Sequence, residues 1–232
     1  MAKFIVIDGL DGCGKATQVG LLKQKFEEMG KKVVQASFPD YDSNSSEAVK
    51  IYLSGKLGDD PSELNPYMCS SFFAVDRFIQ YHERLKAYFD EEDTIILADR
   101  YLSANIIHQG GKIENDIKRY KFVRWVYEYE CKLCGLPVED VTIVLTIPPE
   151  VSQGLLDRRY NGDEGKKDIH ESDIAYLNSC YDRLKSSIGF AKKIDGVNWE
   201  MIDCYDSEKN EIRTIESINE MIMKAIHKYV KI

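Results

Sequence analysis

An apolar run, Phe4-Ile5-Val6-Ile7, leads into Gly9-Leu10-Asp11-Gly12-Cys13-Gly14-Lys15-Ala16-Thr17, and a helix-patterned stretch follows. The spacing is G-x-x-x-x-G-K in the strand–loop–helix setting that a phosphate-binding loop requires. Glycines let the backbone curl until several N–H groups point inward at phosphate oxygens. The helix adds its positive end, and Lys15 adds a cation near the β- and γ-phosphates. Gly9, Asp11, Gly12, Cys13, Gly14, Lys15, Ala16 and Thr17 are therefore expected around a nucleoside triphosphate. One position departs from the motif. The residue after the lysine ordinarily offers a hydroxyl to Mg²⁺, but here it is Ala16, and Thr17 beside it on the helix points elsewhere. Either Mg²⁺ arrives with ATP and is held through water by another carboxylate, for which Asp99 is the candidate, or transfer is weaker than usual.

Four more β-rich runs follow, at 32–37, 94–98, 141–147 and 199–203, alternating with helical patterns at 15–29, 66–88, 117–131, 172–192 and 215–228. Several runs are continuous apolar blocks, as parallel strands covered on both faces require. The alternation predicts an α/β fold: a five-stranded parallel sheet with helices on both faces, in three layers. No internal repeat or low-complexity linker divides the 232 residues, so one domain over 1–232 is expected. The loop-like segments are 40–46, 55–65 and 160–168. In an open parallel sheet, ligands bind beyond the carboxyl ends of the strands.

A formal net charge of −8 argues against a general nucleic-acid or membrane-surface binder, either of which needs surplus Lys and Arg. An anionic substrate then needs a few cations that converge locally. No stretch is long and apolar enough for a signal peptide or a membrane span. The six cysteines are scattered, apart from Cys131 and Cys134, and are expected as reduced thiols in a cytoplasmic protein.

Four segments, taken with the loop, resemble the thymidylate kinase family of P-loop nucleoside-monophosphate kinases, closely from Lys3 to Gly111 and loosely to about Tyr229. The first is Gly9-Leu10-Asp11-Gly12, where the family's acid bonds the 3′-hydroxyl of the monophosphate. The second is Ser37-Phe38-Pro39-Asp40-Tyr41, similar to a Phe-Pro-x-Arg turn whose arginine approaches the acceptor phosphate. Here Tyr41 replaces that arginine, and a phenol offers neither full charge nor a fork. Phe38 and Pro39 are expected to shape the pocket. The third is Phe72-Phe73-Ala74-Val75-Asp76-Arg77, where the resemblance implies that Phe73 stacks on thymine and Arg77 reaches O4. The fourth is Asp99-Arg100-Tyr101, continuing through Asn105 to His108. It implies that Asp99 serves Mg²⁺, Arg100 bridges the donor and acceptor phosphates, Asn105 reads the thymine N3 edge and His108 crowds the sugar's 2′ position.

The stretch from Arg158 to Glu171 resembles the family's lid over ATP. Arg158 would lie against adenine. Because Gly12 stands where some members carry a basic residue, the catalytic cation is expected from Arg159, Lys166 or Lys167. The resemblance thus implies a short-lidded fold (lid about 158–171), ATP-dependent phosphorylation of dTMP to dTDP with Mg²⁺, and a homodimer through helices near 65–88. Two other readings stay open. A deoxynucleoside kinase would need a general base such as Asp40 at the end of the second strand. A nucleotide-binding homologue with weakened catalysis would suit Ala16 and Tyr41.

Overall fold

The computed structural model describes residues 1–160, 163 and 168–232, with the backbone alone for 159 and 160. Strands β1 (Lys3–Gly9), β2 (Lys32–Ser37), β3 (Thr94–Asp99), β4 (Val141–Thr146) and β5 (Trp199–Asp203) form a parallel sheet in the order β2-β3-β1-β4-β5. The apolar blocks become β1, β3 and β4, buried along nearly their whole length, while β2 and β5 are the half-exposed edges. Alternation splits each inner strand between two cores. Ile5, Ile7, Ile95, Leu97, Ile143 and Leu145 face one side. There they meet helix α1 (Lys15–Glu28) through Val19, Leu22 and Phe26, and the C-terminal helix Ile215–Ile226 through Ile218 and Ile222. Phe4, Val6, Ile96, Ala98 and Val144 face the other, against the helices Asp116–Tyr127 and Ile174–Ala191.

The remaining helices, in chain order, build the wall over the carboxyl edge. Helices α2 (Glu47–Leu53) and α3 (Pro66–Gln80) share a small separate core of Val49, Tyr52, Leu53 and Cys69. The predicted helix over 66–88 is α3 plus a wide turn at Tyr81–Leu85 and a tight one at Lys86–Asp90. Beyond β3, a single helical turn, α4 (Leu102–Ala104), runs into a wide turn, Asn105–Gln109. The helices already given as Asp116–Tyr127, Ile174–Ala191 and Ile215–Ile226 are α5, α7 and α8, with α6 (Pro149–Tyr160) between β4 and α7. A two-stranded hairpin, Tyr205–Asp206 with Glu211–Ile212, precedes α8. All six cysteines are free. Among the described residues no helix is long and apolar enough to cross a membrane.

Gly9 ends β1 at φ +142°, and a Cβ there would lie 2.3 Å from the Leu145 carbonyl oxygen of the neighbouring strand. The loop can approach β4 only without a side chain at this point. Gly9→Ala is therefore expected to cost about 1–3 kcal/mol in urea denaturation. A methyl at Gly14, also at positive φ, meets no atom within 4 Å, so Gly14→Ala should cost only about 1 kcal/mol for its backbone. Equal losses would show that the contact with β4 is not what demands glycine.

Candidate active site

A cavity of about 770 Å³ lies over the carboxyl edge of β1, β2 and β3. That is the size of a small-molecule cleft. From the loop it is lined by Asp11, Gly12, Gly14, Lys15 and Ala16, and from the end of β3 by Asp99 and Arg100. Phe38, Pro39 and Tyr41 line it after β2, Phe73 from α3, and Asn105 and His108 from the wide turn. The topology thus gathers onto one cavity most residues that the sequence singled out. Gly9, Cys13, Thr17 and Arg158 are not on its wall. Gly9 contributes instead through its carbonyl, Cys13 is buried beneath the loop, and Thr17 and Arg158 are exposed on their helices. Lys166 and Lys167 lie outside the described residues, as does the side chain of Arg159.

The loop is arranged for an anion. Among the described residues, α1 begins with no side-chain cap and no acid in its first turn, so its leading N–H groups remain to be satisfied. Lys15 is buried and turns back onto the carbonyls of Gly9 (3.0 Å) and Leu10 (2.9 Å), with Asp11 at 3.8 Å. Arg100 has a left-handed backbone, φ 67°, while its N–H reaches the Ile7 carbonyl at 2.9 Å. Its guanidinium bonds Asp11, approaches Asp8 at 3.6 Å and donates to His108 Nε2 at 3.1 Å. Burial alone would raise the Asp11 carboxyl, but Arg100 and Lys15 outweigh it and hold it well below the usual carboxylate range. Asp8 is fully buried, bonded to Ser103 (2.5 Å) and the Gly9 N–H (2.8 Å), and burial pushes its carboxyl up.

Because Arg100 donates to His108 Nε2, that nitrogen carries a lone pair. Burial, then the Arg100 charge, push His108 down to about 3, so the ring is neutral. His170 stacks on it at 5.3 Å with 8° between the planes. The Tyr52 hydroxyl lies 2.7 Å from His170 Nε2 and accepts from Gln109 and Lys112, both at 3.1 Å. This hydroxyl ties α2, the wide turn and the segment around His170 into one wall. Lone histidines and tyrosines give no sequence signal for such a cluster, and Asp8, Tyr52 and His170 were not foreseen as site residues.

Arg77 is a correction. It does not reach the cavity: it is 1% exposed, and its Nε and Nη2 donate to the Glu130 carboxylate at 2.6 and 2.7 Å. Its Nη1 donates to the Tyr101 carbonyl at 3.2 Å. A fork committed to a buried carboxylate is not offered to thymine O4. Asp40 is bonded to Arg84 and lines a smaller cavity of about 360 Å³, not the main one. Asp99 lies on the wall of both cavities, and its Oδ1 is buried without a hydrogen-bond partner among the described residues. An unsatisfied carboxylate oxygen beside the phosphate loop fits a hard, oxygen-preferring cation. Among the described residues no cluster of three or more acids, histidines or cysteines could hold a metal by itself. Mg²⁺ keeps several waters and takes other ligands from phosphates, so a single protein carboxylate such as Asp99 is enough to hold it.

Asp168 also lines the cavity, and its Oδ1 accepts from the N–H groups of His170 (2.8 Å) and Glu171 (2.9 Å). Burial, with the Asp11 charge adding to it, pushes its carboxyl up to about 7. The folded chain holds this proton more tightly than the unfolded one. The stability it lends is thus present in acid and is lost as pH rises through about 7. Asp168→Asn keeps the Oδ1 acceptor. It is expected to melt higher than the wild type at pH 8, with the gain shrinking as pH falls toward 4. A gain that does not change with pH would show that ionisation is not its cause.

A family model described as thymidylate kinase matches residues 7–200. A thymidylate kinase of Mycobacterium tuberculosis is 30% identical over 171 residues, 73% of this chain and 78% of the relative. One of Prochlorococcus marinus is 25% identical over 227 residues, covering 96% and 98%. The fold is similar to the solved structure of thymidylate kinase from Candida albicans. The TM-score is 0.64 at 17% identity, over 98% of this chain and 92% of that one.

Proposed function

The chain belongs to the thymidylate kinase family, and from that premise we propose that it transfers the γ-phosphoryl group of ATP to dTMP, giving ADP and dTDP. The phosphate loop and the Asp99–Arg100 strand end open onto the same cavity as Phe73 and Asn105, and this juxtaposition carries the reading. A phosphate oxygen of dTMP attacks the γ-phosphorus, the bond to the β,γ-bridging oxygen breaks, and ADP leaves with the electron pair. The attacking oxygen is already anionic, so no general base is needed. The protein's work is alignment and charge neutralisation.

Lys15 exchanges its two backbone carbonyls for phosphate oxygens, and Arg100 exchanges Asp11 for the phosphates of donor and acceptor. Phe73 offers a ring face to the base, beside Asn105. Asp11 is then free for the sugar hydroxyl, with the neutral His108 ring on that wall. Asp99 would help to hold Mg²⁺ brought with ATP, and the ion would spread the charge of the phosphate oxygens. A cation from Arg159, Lys166 or Lys167 completes the charge balance, within one domain over 1–232 whose lid spans about 158–171. A homodimer accords with the exposed stripe Met68, Val75 and Phe78 on one face of α3. A hydroxyl acceptor is less well served, because Asp40 is paired with Arg84 away from the main cavity.

Product formation from ATP and Mg²⁺ with dTMP, thymidine or dUMP tests this reading. dTMP should be phosphorylated, thymidine should not, and Lys15→Met should abolish transfer with the fold retained. Transfer to thymidine, or to neither acceptor, would overturn it.

Ala16 yields a separate expectation. It is exposed on the cavity wall with no oxygen to offer. Ala16→Ser adds a direct oxygen ligand at little steric cost, so half-maximal rate should need less Mg²⁺ than in the wild type. An unchanged Mg²⁺ requirement with a lowered melting temperature would remove the metal from the account of Ala16.

A further inference from the structure

One side chain on the cavity wall has its hydrogen-bonding sense set from behind. Asn105 is 2% exposed and lines the cavity. Its Nδ2 donates to the Ser70 carbonyl and to Glu130 Oε1, both at 3.1 Å. Both N–H bonds of the amide are therefore spent on protein acceptors. Its oxygen, which bonds no described residue, is what the amide has left for a ligand. A primary amide held by two acceptors cannot exchange its ends without setting an oxygen against each of them. Glu130, itself 1% exposed, holds this place because Arg77 fixes its carboxylate with two N–H bonds, at 2.6 and 2.7 Å.

We propose that Glu130 is a positioning residue for base selection. By taking an N–H of Asn105, it presents Asn105 Oδ1 to the base as a hydrogen-bond acceptor. The cavity then takes pyrimidine 2,4-diones, whose ring nitrogen N3 carries a proton, and rejects 4-aminopyrimidines, whose N3 is itself an acceptor. This rests on the acceptor reading above and deepens it. Thymine and uracil are alike at N3, so the device does not distinguish them. Against cytosine, two acceptors would face each other out of water, and a site built to bond a substrate N–H rejects such a mismatch by about 10²-fold or more.

Arg77→Met/Glu130→Leu is the informative change. It removes the acceptor behind Asn105 together with its counter-charge, so no buried charge is left unpaired. Asn105 then keeps only the Ser70 carbonyl, and the sense of its amide is no longer fixed from two sides. Transfer from ATP to dTMP, dUMP and dCMP is to be measured for the wild type, Arg77→Met/Glu130→Leu, Asn105→Ala and the triple variant. The wild type should favour dTMP and dUMP over dCMP by about 10² in kcat/KM. Arg77→Met/Glu130→Leu should shrink that ratio at least about tenfold, the size of one lost hydrogen bond. The change should fall on KM for the monophosphate, with KM for ATP unmoved. In the Asn105→Ala background, the same pair of changes should alter the ratio no further, since Glu130 and Asn105 act as one unit.

An unchanged ratio in Arg77→Met/Glu130→Leu, or a further fall in the triple variant, would overturn the proposal. Arg77→Met/Glu130→Gln keeps a side-chain oxygen that accepts from Asn105, so it should hold the wild-type ratio; a ratio lost there as well would show a packing effect and overturn the proposal too. A wild type that uses dTMP and dCMP equally overturns this proposal alone. A wild type that phosphorylates none of the three overturns the acceptor reading, and this proposal with it.

Discussion

The Arg100 guanidinium joins the carboxyl ends of β1 and β3. Its backbone N–H continues the pairing of β3 onto the Ile7 carbonyl, while its side chain bonds Asp11, nears Asp8, and touches the Gly9 carbonyl and His108. The left-handed backbone at φ 67° is uncommon for a residue with a Cβ. It is what turns this side chain across the phosphate loop, away from the continuing line of the strand. Such a conformation persists where surrounding contacts over-determine it. Four elements of the cavity wall thus take their positions from one cation: the loop, two strand ends and the wide turn.

The two cations are balanced by the protein's own acids. Lys15 and Arg100 face Asp11, Asp8 and Asp99, and Lys15 also caps two backbone carbonyls. The neutral His108–His170 stack and the Tyr52 hydroxyl border this charged floor and add no charge of their own. An acidic chain can take an anionic ligand on this floor because Lys15 and Arg100 converge there.

Much of this was legible in the sequence. Continuous apolar blocks mark β1, β3 and β4, since only strands covered on both faces bury every position. The glycine–lysine spacing places the phosphate loop because it is a local backbone requirement. Helix ends were harder to read: the run over 66–88 keeps its period through turns that are no longer α-helical. The hairpin before α8 is too short and polar to register. Arg77 shows where local reading stops. Its spacing four residues after Phe73 is right for a shared helical face. Its partner Glu130, however, lies 53 residues further on, and a buried carboxylate outcompetes a ligand edge for the fork. The acids of the floor were only half visible for the same reason. Asp8 reads as the polar end of a strand until Ser103 and Arg100 fold over it.

The departures at Ala16 and Tyr41 bear on how tightly the site can bind its ligands. An alanine in place of a hydroxyl, and a phenol in place of an arginine, each remove an interaction that ground-state phosphates would enjoy. The cations that remain must also release Asp11 and two carbonyls before they meet a phosphate, so part of their attraction is spent on exchange. Interactions equally strong in the ground and transition states lower KM without raising kcat. What the chain keeps, a lysine and an arginine converging on Asp11 at the floor of one cavity, acts on charge that shifts between donor and acceptor as the bond is transferred. The losses therefore fall more on ground-state affinity than on the transfer step. A chain with these two departures is expected to hold its substrates more loosely while keeping the cations that serve the transfer.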